Sequence, residues 1–125
     1  MNVVLWIVQV LLAAAFGVSG VMKSTMPIPE LALQVPWSDD VPVAFVRFIG
    51  LVELTGAVGL ILPALTRIKP GLTPLAALGI LTIMLLAMLF HISRGEFGVL
   101  PINLALGAMA AFIAWGRRRV PIPAR

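Results

Sequence analysis

The segment Val43 to Pro63 (VAFVRFIGLVELTGAVGLILP) constrains this chain most, because a run long and apolar enough to cross a bilayer carries Arg47 and Glu53 inside it. Crossing a hydrocarbon core takes about 20 helical residues. A charge at the centre of such a helix costs about 3 kcal/mol or more, so intramembrane ionisable residues face protein or water and mark functional sites by default. At about 1.5 Å per residue, Arg47 lies about 6 Å from the start of the span and Glu53 about 15 Å, near the midplane. Arg47, Gly50 and Glu53 follow one another at steps of three, each about 60° round the helix from the last, so Arg47 and Glu53 flank the Gly50 side and are expected to border one cavity.

Three further segments match the first in length and apolarity: Asn2 to Met22, Leu72 to Ile92 and Val99 to Gly116. With 61% hydrophobic residues, 11% charged residues and a mean hydropathy of +1.10, the composition is that of a membrane protein. The expected architecture is all-α: one transmembrane domain over residues 1–125, built as a four-helix bundle with a loop at 23–42. The first span is not preceded by a basic residue and exceeds a signal-peptide core, so it reads as a retained helix.

A net charge of +4 would suggest nucleic acid in a soluble domain, but here the basic residues follow topology. Arg67, Lys69, Arg117, Arg118, Arg119 and Arg125 share one side, while Lys23 and Arg94 lie near loops on the other. The positive-inside rule places both termini in the cytoplasm. Contact of Arg117 to Arg119 with anionic membrane lipids is a secondary expectation. No aromatic platform accompanies the basic run, so nucleic acid is not an expected partner. The chain has no cysteine, which excludes thiol chemistry and iron–sulfur ligation by its own side chains.

On the first helix Gln9, Ala13, Phe16, Gly20 and Lys23 share a small or polar face. Pro27, Pro29, Pro36 and Pro42 punctuate the loop. Its apolar residues Met26, Ile28, Leu31, Leu33 and Val35 imply a segment lying on the bundle, with a helical turn within Glu30 to Val35 and Trp37 at headgroup level. Asp39 and Asp40 read as solvated charges or helix-start residues. Met84, Met88 and His91 share a face of the third helix, where methionine serves packing better than metal binding. One histidine and one glutamate fall short of a metal site. Gly50, Gly56, Gly59 and Gly107 are expected helix-packing positions. No nucleotide, hydrolase or metalloprotease motif occurs, so no catalytic residue is assigned.

Counted by depth, Lys23, Arg47, His91 and Asn103 fall in the outer third of the membrane, with Glu53 at its centre. They imply an outward-facing polar pocket for ligand binding or proton relay. The competing reading is an ion pair of Glu53 with Arg47 or Lys23 that only holds the bundle together.

The run Ile49-Gly50-Leu51-Val52-Glu53-Leu54-Thr55-Gly56-Ala57-Val58-Gly59-Leu60-Ile61-Leu62-Pro63, with Gly20 and Lys23 before it and Ala87 to His91 after it, resembles the DoxX-like family of small bacterial four-helix membrane proteins. The resemblance implies a multi-pass protein of the bacterial inner membrane, with Lys23, Arg47, Gly50, Glu53 and His91 at family-like positions. It also implies a membrane subunit of a redox or stress-response system, with an oxidoreductase partner and a quinone as the small amphipathic ligand. Two other readings stand beside it. One is an assembly scaffold that binds partner helices through Gly50, Gly56, Gly107 and Ala111; the other is a small proton-coupled transporter acting as a homodimer.

Overall fold

The computed structural model describes residues 1–125. Four long helices, α1 (Asn2–Thr25), α3 (Val43–Thr66), α4 (Leu72–Ser93) and α5 (Leu100–Arg119), are each long and apolar enough to cross a membrane. A single turn, α2 (Ile28–Leu31), and a short 3-10 turn (Pro36–Asp39) lie in the strap between α1 and α3. There are no strands. Large apolar side chains such as Phe48, Leu51, Leu85, Leu89 and Leu104 are more than half exposed, as expected where lipid covers the outside.

The helices overrun the apolar segments by one to three residues. At the ends of α1, α3 and α4 hydroxyls explain this. Ser24 donates to the Gly20 carbonyl, Thr25 to Val21, Thr66 to Leu62 and Ser93 to Phe90, so polar residues that look like loop complete the last turn by bonding back one turn. The strap's helical turn starts earlier than Glu30, and backbone bonds from Leu33 to Glu30 and from Gln34 and Val35 to Leu31 carry turns on to Val35. It begins after Pro27 with Pro29 in its first turn, where a missing N–H costs nothing. Leu31 is fully buried and does hold the strap to the bundle, but Leu33 is 85% exposed.

The four spans form a ring in the order α1, α3, α4, α5. α1 packs most extensively on α3, and α4 on α5, while the α3–α4 seam is looser and the α5–α1 seam looser still. The α1–α3 contact requires glycine on both sides. A Cβ on Gly20 would lie 2.8 Å from the Gly50 carbonyl oxygen, and one on Gly50 would lie 2.6 Å from the Ser24 nitrogen. Gly56 and Gly59 are filled by Ile80 and Ala76 of α4, and Gly107 lies against Met84 and Leu81. All four glycines thus face helices of the same chain.

Pro63 does not end α3; the helix continues to Thr66. A proline has no N–H to offer the carbonyl four residues earlier, here Gly59, and in hydrocarbon such a group needs another partner. The fully buried Thr73 of α4 supplies it, its hydroxyl 3.1 Å from the Gly59 oxygen. The next carbonyl, Leu60, accepts the Gln9 amide from α1 at 2.7 Å. The Gln9 side-chain oxygen in turn accepts Nε of Arg117 at 2.6 Å, and Arg117 Nη1 donates to Asn2 at 2.8 Å and to the Val120 carbonyl. Arg117 is therefore not a free topological charge. It is 3% exposed and rests over the Trp6 ring.

Thr73→Val should destabilise the bundle by about 1 kcal/mol. In a Pro63→Ala background, where Gly59 regains a backbone partner, most of that loss should vanish. Unfolding equilibria of the four members of this cycle in bicelles test it; equal losses in both backgrounds would refute the carbonyl argument.

Candidate functional site

Polar side chains gather in the half of the bundle beneath the strap, from every long helix. Lys23 reaches in from the last turn of α1, where a cation suits the helix C-terminus. Its Nζ lies 2.9 Å from Glu53 Oε1 of α3, and Ser19 Oγ, one turn earlier on α1, donates to the same carboxylate at 3.1 and 3.2 Å. Both charges are sequestered, with side-chain exposures of 14% and 3%. His91 at the end of α4 is buried, and so is Asn103 in the first turns of α5.

Lys23, Glu53, His91 and Asn103, with Trp37 and Met84, border two neighbouring lobes of cavity and form the waist between them. One lobe, of about 330 Å³, opens toward the α3–α4 seam past Phe45, Phe48 and Leu86. The other, of about 310 Å³, reaches the α5–α1 seam past Phe16, Ile102 and Leu106. Trp37 roofs the waist. Its ring centroid lies 5.4 Å from Lys23 Nζ and 5.6 Å from the Phe90 ring, which it meets edge-on. This residue faces the cavity.

Arg47 is the sequence-derived site residue that the structure keeps away from the waist. Its Nη1 donates to the Lys23 carbonyl at 3.0 Å, satisfying one of the oxygens left open at the end of α1, where a cation is favoured. Glu53 therefore pairs with Lys23 and not with Arg47. Gly50 lies between the two, pressed on α1, and turns Arg47 toward the helix end and Glu53 inward.

A second polar group holds the roof at its rim. His91 Nδ1 is 3.0 Å from Glu96 Oε1, and an ionised carboxylate has no proton to give, so Nδ1 carries it. In the neutral ring this leaves Nε2 as an acceptor. Arg94 donates through Nε to Glu96 at 2.9 Å and through Nη2 to Asp40 of the strap. Asp40 is thus a tie between two loops and not a helix cap. Hydrogen bonds from His91 and then Arg94 hold the Glu96 carboxyl below the usual carboxylate range, and the bond to Asp40, then that to Glu96, raises Arg94.

The Asn103 Nδ2 is buried and has no partner. An amide left in this state forfeits a full desolvation cost, and it is the one orphaned buried side-chain atom in this half of the bundle. The Arg117 Nη2 is the other, at the opposite end. Ser19, Trp37 and Glu96 were not read from the sequence as site residues. Ser19 was within reach, one i, i+4 step before Lys23 on the same face, but Trp37 and Glu96 sit on loops where no periodicity points.

A model of the DoxX-like family matches residues 7–113. The chain belongs to the DoxX-like family. Comparison with curated proteins and with solved structures gives no match. This DoxX-like chain is accordingly a multi-pass membrane protein with four apolar helices.

Removing one partner of a buried pair leaves an uncompensated charge, whereas replacing both is close to neutral. Lys23→Met alone should cost about 3–5 kcal/mol, and Lys23→Met with Glu53→Leu should recover most of it. Unfolding in bicelles measures both, and additive losses would show the pair is not coupled. The Glu96 shift fixes a pH dependence as well. A lowered folded pKa gives stability that is complete above the unfolded pKa and lost as pH falls through the folded one. Trp37 emission, read with Trp6→Phe and Trp115→Phe in vesicles, should hold steady down to the ordinary glutamate value of about 4.3 and change only below it. A transition near neutral pH would assign the rim to another group.

Proposed function

We propose that this DoxX-like protein binds a small amphipathic molecule with an uncharged polar head in the waist of the cavity, as a non-catalytic membrane subunit of a redox or stress-response system. The observation that carries the reading is the orphaned Asn103 Nδ2, buried on a cavity wall whose two central charges already neutralise one another. A site with one spare donor, an imidazole acceptor and no net charge between Lys23 and Glu53 suits a carbonyl or hydroxyl head. It does not suit a free ion, which would have to break that pair.

A quinone is one molecule with such a head. Asn103 and Lys23 are the donors at hand for a ring carbonyl, His91 Nε2 is an acceptor for a ring hydroxyl, and the quinone when bound would supply the two-electron chemistry that this chain's own residues lack. The inner membrane of a bacterium, with the strap end outward, is the location this reading takes from the basic residues at the termini end. An oxidoreductase partner follows from the same reading, since the chain needs a source of electrons. The scaffold reading loses support from the glycines, which contact the chain's own helices. Nothing in the geometry favours a homodimeric proton-coupled carrier over the ligand pocket.

Native mass spectrometry of the detergent-released protein, beside Asn103→Leu and Glu53→Gln, tests the reading. The unaltered chain should carry a small molecule of amphipathic chemistry, and Asn103→Leu should lose it while keeping its helicity. An empty unaltered chain, or a molecule held equally by Asn103→Leu, would sink the proposal.

A further inference from the structure

The cavity has a roof of protein on its strap side and openings along its flanks. On the strap side Leu31 and Ser38 are fully buried, Trp37 covers Lys23, and Asp40 is tied to Arg94, which is tied to Glu96 beside His91. A water-borne ligand would have to part these contacts. On the α3–α4 side the residues that frame the opening are themselves on the outer surface: Phe45 is 44%, Phe48 62% and Leu86 60% exposed.

An apolar groove adjoins the α3–α4 opening. Phe48 and Ile83 belong both to the cavity wall and to an apolar groove of about 450 Å³ that follows α3 and α4 to Gly56 and Ala76. The groove is floored at Gly79, where an added Cβ would meet nothing within 4 Å. A polar waist thus adjoins, across Phe48 and Ile83, an apolar track edged by the exposed Phe48 and Leu51.

We infer that the ligand is a bilayer-dissolved amphiphile that reaches the waist sideways, through the α3–α4 seam, with its polar head inward and its apolar part in the groove. This inference rests on the ligand-pocket reading above and adds the class of molecule and its route. The physics divides the labour. Lipid tails are as apolar as leucine, so an alkyl part gains little by moving from bilayer to groove; the groove guides. Selection falls to the waist, where a head that satisfies Asn103 replaces a costly orphan with a hydrogen bond. A molecule concentrated in the bilayer also meets this opening without crossing the roof.

The absence of cysteine allows a direct test that needs no knowledge of the ligand. Met84, on the waist and 5% exposed, is replaced by cysteine, and the protein is placed in phosphatidylcholine vesicles. Labelling rates are compared for decyl methanethiosulfonate, which resides in the bilayer, and for its charged trimethylammonioethyl and sulfonatoethyl analogues, which stay in water. The decyl reagent should react faster by on the order of tenfold, and Ala87→Phe, which narrows the α3–α4 opening, should slow it by a similar factor. Leu106→Phe, in the other lobe, should leave the rate unchanged. Asn103→Cys serves as reporter if Met84→Cys does not fold by circular dichroism.

Equal rates for the charged reagents, or slowing by Leu106→Phe and not by Ala87→Phe, would overturn the route. Either of these results alongside a copurified ligand would leave the pocket standing and remove only the lateral path. The expected rates in a protein that carries no ligand would leave the path and remove the pocket's occupant.

Discussion

Much of this structure depends on one carbonyl. Pro63 deprives Gly59 of its helical hydrogen bond at a depth where water is scarce, and the bundle answers with Thr73 from α4, while the neighbouring Leu60 carbonyl takes Gln9 from α1. Gln9 then accepts Arg117 from α5. All four spans are thus tied at the termini end by polar contacts that have no aqueous competitor. Apolar packing alone gives helices in lipid little reason to prefer one partner to another, so such bonds and close glycine contacts set the arrangement. Gly20 against Gly50 does the same for α1 and α3 nearer the strap.

In the half of the bundle nearer the strap the polar residues are arranged as a balanced set. Lys23 and Glu53 cancel, Ser19 completes the carboxylate, and Arg47 spends its charge on the end of α1. His91 is bound outward to Glu96. The buried Asn103 Nδ2 is left without a partner. An aliphatic side chain in place of an isolated buried amide would stabilise the bundle, and the proposed ligand rests on that contrast.

The four spans were legible because hydropathy reports transfer to lipid, and their first residues at Val43 and Leu72 coincide with the run of apolar side chains. Their ends were not, because Ser24, Thr25, Thr66 and Ser93 are polar in composition but helical in bonding, and because Pro63 reads as a terminator until Thr73 is seen opposite it. The approach of Lys23, Glu53, His91 and Asn103 followed from counting depth along each span. Rotation about the helix was harder. Arg47 and Glu53 flank Gly50 symmetrically, and only the close seating of Gly50 on α1 decides which of them turns inward. The burial of Arg117 gave no local signal at all, since its partners Gln9 and Asn2 lie more than a hundred residues away.

The placement of the cavity follows from the same unequal packing. A void inside a well-packed contact forfeits the dispersion attraction of the atoms around it, so a cavity costs least where little packing existed to lose. In this chain α1 with α3 and α4 with α5 make the extensive contacts, and the two seams between those pairs are the looser ones. The waist lies between the pairs and its lobes open on both seams. Each pair keeps its own packing, and the bonds at Gly59, Leu60 and Gln9 keep the pairs together at the far end. Four spans can therefore hold a polar chamber in the membrane without a fifth spanning helix to enclose it, and the openness of its flanks to lipid is the direct consequence.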